Sequence, residues 1–152
     1  MLTLGFEPDM RITKTAIAQT QLIEAIDLFL AGRYISATTL AGAAEEIFAR
    51  LLNQNKEASV VEKSFQAIHE IRERLGIAAM GTKTKNEIFN EWNAARNALK
   101  HHGKTDDETI TINLFDEAYW MIQRAIENAK ALGVRISNQL DFENWIIQNI
   151  NM

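Results

Sequence analysis

Positions 96–104 bring together Arg96, Asn97, Lys100, His101, His102 and Lys104. Imidazole groups exchange protons near neutral pH and suit general acid–base work. Guanidinium groups bind phosphate oxygens with paired donors. From Gly81 to Lys104 there are five basic residues (Lys83, Lys85, Arg96, Lys100, Lys104) against two acidic ones (Glu87, Glu91). That surplus of three positive charges, in a chain of net charge -4, could meet one phosphate group. A solvated helix face explains the same residues, and from charge alone it is the preferred reading. His101 and His102 precede Gly103, where exposed carbonyls at a helix end favour an imidazolium by under ~1 kcal/mol. A helix cap is therefore the plain reading of the pair. The third histidine, His69, has no partner at metal-ligand spacing and reads as a surface or boundary residue.

The elements that must hold these residues are helical. Apolar residues recur at helical spacing from about Lys14 to Ala31 (Ile12, Ala16, Ile23, Ile26, Leu30), with Gly32 as the stop. They recur again from about Tyr34 to Asn53 (Ala37, Ala41, Ala44, Phe48, Leu51). The run Ala41-Gly42-Ala43-Ala44 allows a close helix–helix approach. A third helix is expected from about Val60 to Leu75, burying Val61, Phe65, Ile68 and Leu75 and stopping at Gly76. After a loop through Gly81, a fourth runs from about Thr84 to His102, with Ile88, Trp92, Ala95 and Leu99 inward and Gly103 as the stop. Thr109 to Ile112 is β-branched and reads as extended. Asn113 should cap a fifth helix whose stripe is Phe115, Ala118, Ile122, Ala125 and Ala129, ending at Gly133. A short sixth, about Asp141 to Ile150, presents Trp145 and Ile146 to a bundle end or a partner.

Short connections between long helices make neighbours antiparallel. The expected fold is all-α: an up-and-down bundle of four to five long helices plus a short C-terminal helix. It forms one domain over 1–152, with a leader at 1–12 and a C-terminal extension at 134–152. The 152 residues suffice for a core without metal or disulfide staples, and there is no cysteine, so thiolate–metal sites are excluded. The start lacks the features of a signal peptide, and no apolar run has the length of a membrane span. A cytoplasmic protein without membrane contact is expected. The negative net charge argues against a domain that coats nucleic acid through bulk charge.

On an ideal helix Arg96 falls about 40° from Trp92, close to the apolar stripe. A buried guanidinium needs a partner. Glu45, between Ala41 and Phe48 at the edge of the second helix's stripe, is the best internal candidate, whereas Glu46 projects away. The alternative partner is a phosphate and a second subunit. His101 falls about 180° from Trp92, away from Arg96, and is the i,i+4 neighbour of Asn97. His102 lies nearer the core face.

The stretch Arg96-Asn97-Ala98-Leu99-Lys100-His101 fits R-N-x-x-x-H at the end of the penultimate long helix. In this it resembles the HEPN superfamily, whose RNase members carry an arginine and a histidine separated by four to six residues. Asparagine directly after the arginine is frequent in that family. The stretches Ala41–Glu46 and Phe115–Ala129 also look like HEPN counterparts, so the resemblance spans about Lys14 to Gly133.

The resemblance implies a homodimer that assembles both motif copies across a two-fold interface. It implies metal-independent cleavage of single-stranded RNA, with no cofactor, in a toxin or defence effector with an antitoxin protein as a possible partner. On that reading His101 is general base or acid at the 2′-hydroxyl and leaving oxygen, and Arg96 binds the scissile phosphate. Asn97 orients His101 or bonds the phosphate, Lys100 and Lys104 guide the RNA backbone, and His102 and Glu45 are accessory. Gly103 stands where toxins paired with nucleotidyltransferase antitoxins often have tyrosine. The competing expectation is a non-catalytic HEPN-like nucleotide-binding or protein-interaction module. A purely structural helical dimer is the third.

Overall fold

A computed structural model describes residues 2–75 and 83–150. Gly76 and Gly81, read above as a helix stop and a loop, lie outside the described residues. Among those described, all regular structure is helical: α1 Lys14–Leu30, α2 Tyr34–Gln54, α3 Val60–Leu75, α4 Lys85–Trp92, α5 Ala94–Lys100, α6 Leu114–Ala131 and α7 Gln139–Asn149. The chain is an all-α helical bundle. No helix among the described residues is long and apolar enough to cross a membrane.

The packed centre is α2, lying along both α1 and α6. Thr13 opens α1, its hydroxyl accepting from the Ala16 N–H at 3.0 Å. Gly32, at φ +77°, closes it, with the Arg33 N–H donating to the Leu28 carbonyl at 2.8 Å. That tight reversal sets α2 antiparallel to α1. The α2 stripe Ala37, Ala41, Ala44 and Phe48 is fully buried, as its spacing predicts, and Leu52 rather than Leu51 completes it. Its alanines let α1 and α6 approach closely. On α6, Ala118, Ile122, Ala125 and Ala129 face this stripe. Asn113 caps α6 as expected, accepting from the Asp116 N–H at 3.1 Å.

The inward face of α1 matches the expected row in part: Ile26 is buried and Ala16, Ile23 and Leu30 are half-buried. Ala18, Leu22, Ala25, Ile26 and Phe29 are buried, while Ile12 is exposed. The cause is Phe29, whose ring stands 5.2–5.4 Å from those of Tyr34, Phe115, Phe142 and Trp145. Two of these rings come from α7, so α7 closes this end of the bundle, with Phe142 and Ile146 buried.

The remaining helices are held more loosely. From α3 only Val61 is buried; Phe65 and Ile68 are half-buried, and the side chain of Leu75 lies outside the described set. Asn128 on α6 accepts from the Val60 N–H at 2.9 Å, which ties down the start of α3. Thr84 and Glu87 form a reciprocal capping box at the start of α4. The expected single helix from Thr84 to His102 is instead α4 and α5, broken at Asn93 (φ -104°, ψ 0°). There the Trp92 carbonyl accepts from Arg124 Nη1 at 3.1 Å, so a side chain from α6 takes an acceptor of the helical ladder. Of the expected inward row only Ile88 is buried; Trp92, Ala95 and Leu99 are half-buried. The Thr109–Ile112 segment is non-helical and mostly exposed, and pairs into no strand.

Candidate functional site

Arg96 lies on α5 facing α2, and its path depends on a missing side chain. A Cβ built on Gly42 would stand 2.5 Å from Arg96 Cδ and 2.7 Å from Cγ. The bare backbone at Gly42 therefore cradles the arginine stem as it runs to Glu45, one turn further along α2. There Arg96 Nη1 donates to Glu45 Oε2 at 3.2 Å. The other carboxylate oxygen is taken from the opposite side by Arg124 Nη2 at 3.1 Å. The same Nη2 donates to Asn93 Oδ1 at 2.9 Å, at the α4–α5 break.

Three side chains from three helices thus close a clamp, with side-chain exposures of 4% for Glu45, 11% for Arg96 and 16% for Arg124. A carboxylate this buried is tolerable only because both oxygens are bonded to cations. Asn128 Nδ2 reaches the Glu45 backbone carbonyl at 3.5 Å, linking the clamp to the start of α3. The arginine Nε atoms of Arg96 and Arg124 are buried without a hydrogen-bond partner among the described residues. Glu46, on the outer side of α2, has its carboxyl held below the usual range. The hydrogen bond from Arg50 is the main cause, and the nearby charges of Arg96, Arg50 and Lys100 add to it against the opposing effect of burial.

The histidines lie elsewhere. α5 ends at Lys100, and His101 adopts extended backbone (φ -128°, ψ 147°), its N–H donating to the Asn97 carbonyl. Asn97, Lys100, His101, His102 and Lys104 are all exposed. Lys100, His101 and His102 line a groove of about 580 Å³ together with Asp106, Asp107 and Glu108. Asp106 Oδ2 accepts from the Gly103 N–H at 2.6 Å, folding the acidic turn back over the helix end. A phosphate entering here would meet three carboxylates as well as the cations, which weakens its attraction.

Of the residues expected to form one site, the chain brings Arg96 to Glu45 and leaves His101 and His102 outside, in solvent. His69 is exposed, 3.9 Å from Glu73. Sequence reasoning missed Arg124 altogether. Its signal was present: a charged residue between Met121 and Asn128, both buried and on the same face of α6, cannot be idle. It also missed Asp106–Glu108 as neighbours of the histidines, because a turn with irregular backbone carries no periodicity to place them. Comparison with protein-family models, with curated proteins and with solved structures gave no match to this chain.

Proposed function

We propose that the chain is a non-catalytic HEPN-like interaction module in which Arg96 is an architectural residue. The observation that carries this reading is the Glu45 carboxylate shared between Arg96 and Arg124. A guanidinium that must bind a scissile phosphate has to present free donors to solvent. Here one Nη of Arg96 is engaged, its Nε is buried, and pulling it out would strand a carboxylate in the interior with a single partner. Arg124 would then have to balance the buried carboxylate alone, and weakening the pairing of an interior charge is costly.

A second reading has one observation in its favour. His101 and His102 stand exposed beside Lys100 in one groove, so their imidazoles are open to a substrate. In that reading the chain is a homodimeric, metal-independent ribonuclease, and a second copy supplies the cation that Arg96 does not.

The test is incubation of purified protein with single-stranded RNA in EDTA, alongside Arg96→Lys and His101→Ala, with circular dichroism to verify folding. The module reading expects no cleavage above buffer by any of the three. Cleavage by the parent chain that disappears in folded His101→Ala would replace it with the ribonuclease.

A further inference from the structure

Charge and aromatic surface alternate along one side of α6. Glu117, Trp120, Arg124 and Glu127 follow one another at spacings of three, four and three, the row that a helix offers to a neighbour lying along it. This row forms one wall of a groove of about 620 Å³, with the start of α3 and the end of α4 opposite. Val60, Val61 and Trp92 add apolar lining. The Trp120 indole stays 61% exposed, so a large aromatic face has no cover within the chain.

The charges of the groove do not cancel. Glu91, on the α4 side, is paired with Lys83. Arg124, the one cation in the lining, is spent within the fold: Nη1 donates to the Trp92 carbonyl, and Nη2 donates to Glu45 and Asn93. Counting Arg96 and Arg124 against Glu45, the clamp keeps one positive charge. Glu117 and Glu127 outweigh it, and neither has an ion-pair partner among the described residues. They stand ten residues apart on α6, about 15 Å along its axis. One small cation does not reach both.

We propose that this groove receives a basic, amphipathic helix of a partner protein, with its apolar side over Val61 and Trp120 and its cations at Glu117 and Glu127. Carboxylates toward both ends of an aromatic wall are the complement of a segment that is apolar in its middle and cationic toward its ends. A helix laid along α6 carries cations ten residues apart at the same rise as the carboxylates they meet, and an apolar groove is a common seat for an amphipathic helix. Indole faces add attraction for lysine or arginine. The inference rests on the interaction-module reading and deepens it by giving the module a partner of stated chemistry. Its test involves no RNA, so cleavage by the chain and an unfilled groove are separate failures.

The probe is a fluorescent helical peptide with leucine on one face, alanine and glutamine on the other, and two lysines ten positions apart. A second peptide has glutamates in place of the lysines. Each is titrated with the full chain and followed by anisotropy, and circular dichroism verifies that every variant is folded. The lysine peptide should bind saturably and more weakly as salt rises. Its dissociation constant should rise about tenfold or more in Trp120→Ala, and at least as much in Glu117→Gln/Glu127→Gln. Glu7→Gln/Asp9→Asn removes the same two charges from the exposed leader and should bind as the parent chain does. Four results would overturn the proposal. The folded chain does not bind the lysine peptide, or binds the glutamate peptide equally well. The leader variant loses as much affinity as the groove variant, so that net charge alone attracts the peptide. Trp120→Ala binds unchanged, which places the contact on another face. Lysine amide at the peptide's own concentration displaces it fully, which makes the site one for a small cation.

Discussion

The α1–α2–α6–α7 sector and the α3–α4–α5 sector are held by different forces. The first buries apolar stripes from each of its four helices, with Phe29 as the centre of an aromatic cluster. In the second, Val61 and Ile88 are the buried apolar side chains among the described residues, and α5 buries none. Polar side chains attach it instead: Asn128 to Val60, Arg124 to Trp92 and Asn93, and Arg96 to Glu45. Hydrophobic burial is non-directional and tolerates adjustment, whereas hydrogen-bonded charges demand geometry and fail sharply when one member is removed. Charged residues inside a helical stripe can therefore be attachment points, and their spacing can look like chemistry.

The largest expected effects separate the two sectors. Phe29→Ala should cost about 3–5 kcal/mol and lower protection from hydrogen exchange throughout α1, α2, α6 and α7. Glu45→Ala, which removes the only carboxylate among the described residues that pairs with Arg96 and Arg124, should cost a similar ~3–5 kcal/mol, but the loss of protection should be concentrated in α4 and α5. Urea unfolding with residue-resolved exchange checks both, and identical exchange patterns for the two variants would erase the distinction drawn here.

A smaller effect sharpens it, because its sign depends on the partner. Gly42→Ala places a Cβ against the middle of the Arg96 stem, and crowding of this kind costs about 1–3 kcal/mol. Alanine gains roughly 1 kcal/mol over glycine within a helix. In the parent chain the crowding should win and the variant should be less stable. In an Arg96→Ala background the obstacle is gone, and Gly42→Ala should stabilise.

The smallest effect is electrostatic. A carboxyl whose folded pKa is depressed stabilises the fold above its unfolded pKa and loses that contribution as pH falls through the folded value. Glu46 is such a group, but its side chain is 40% exposed, so solvent screening keeps its contribution below about 1 kcal/mol. The stability difference between the parent chain and Glu46→Gln should be measurable at pH 7 and shrink as pH falls below the ordinary carboxylate range.

The sequence made the helical class, the alanine stripe of α2, the Asn113 cap and the Arg96–Glu45 alternative legible, because each rests on local periodicity or on the cost of an unpaired charge. The break at Asn93 was not legible. Nothing in Glu91-Trp92-Asn93-Ala94 stops a helix, and the side chain that bonds both Trp92 and Asn93 at the interruption is Arg124, thirty-one positions beyond Asn93. The inward face of α1 was legible only in part, at Ile26, since the ring cluster around Phe29 draws two members from the distant α7. The neighbours of His101 and His102 were not legible either, because a residue type suited to catalysis looks the same in sequence whether or not the turn Asp106–Glu108 stands beside it.

That Arg96 serves the fold through Glu45 is best tested by a double-mutant cycle of Glu45→Gln and Arg96→Met, measured by urea unfolding at neutral pH. Direct contact predicts a coupling of about 1 kcal/mol or more, with Arg96→Met costing much less once Glu45 is already replaced. Costs that add to within about 0.5 kcal/mol would mean that the two side chains act independently, and would contradict the clamp.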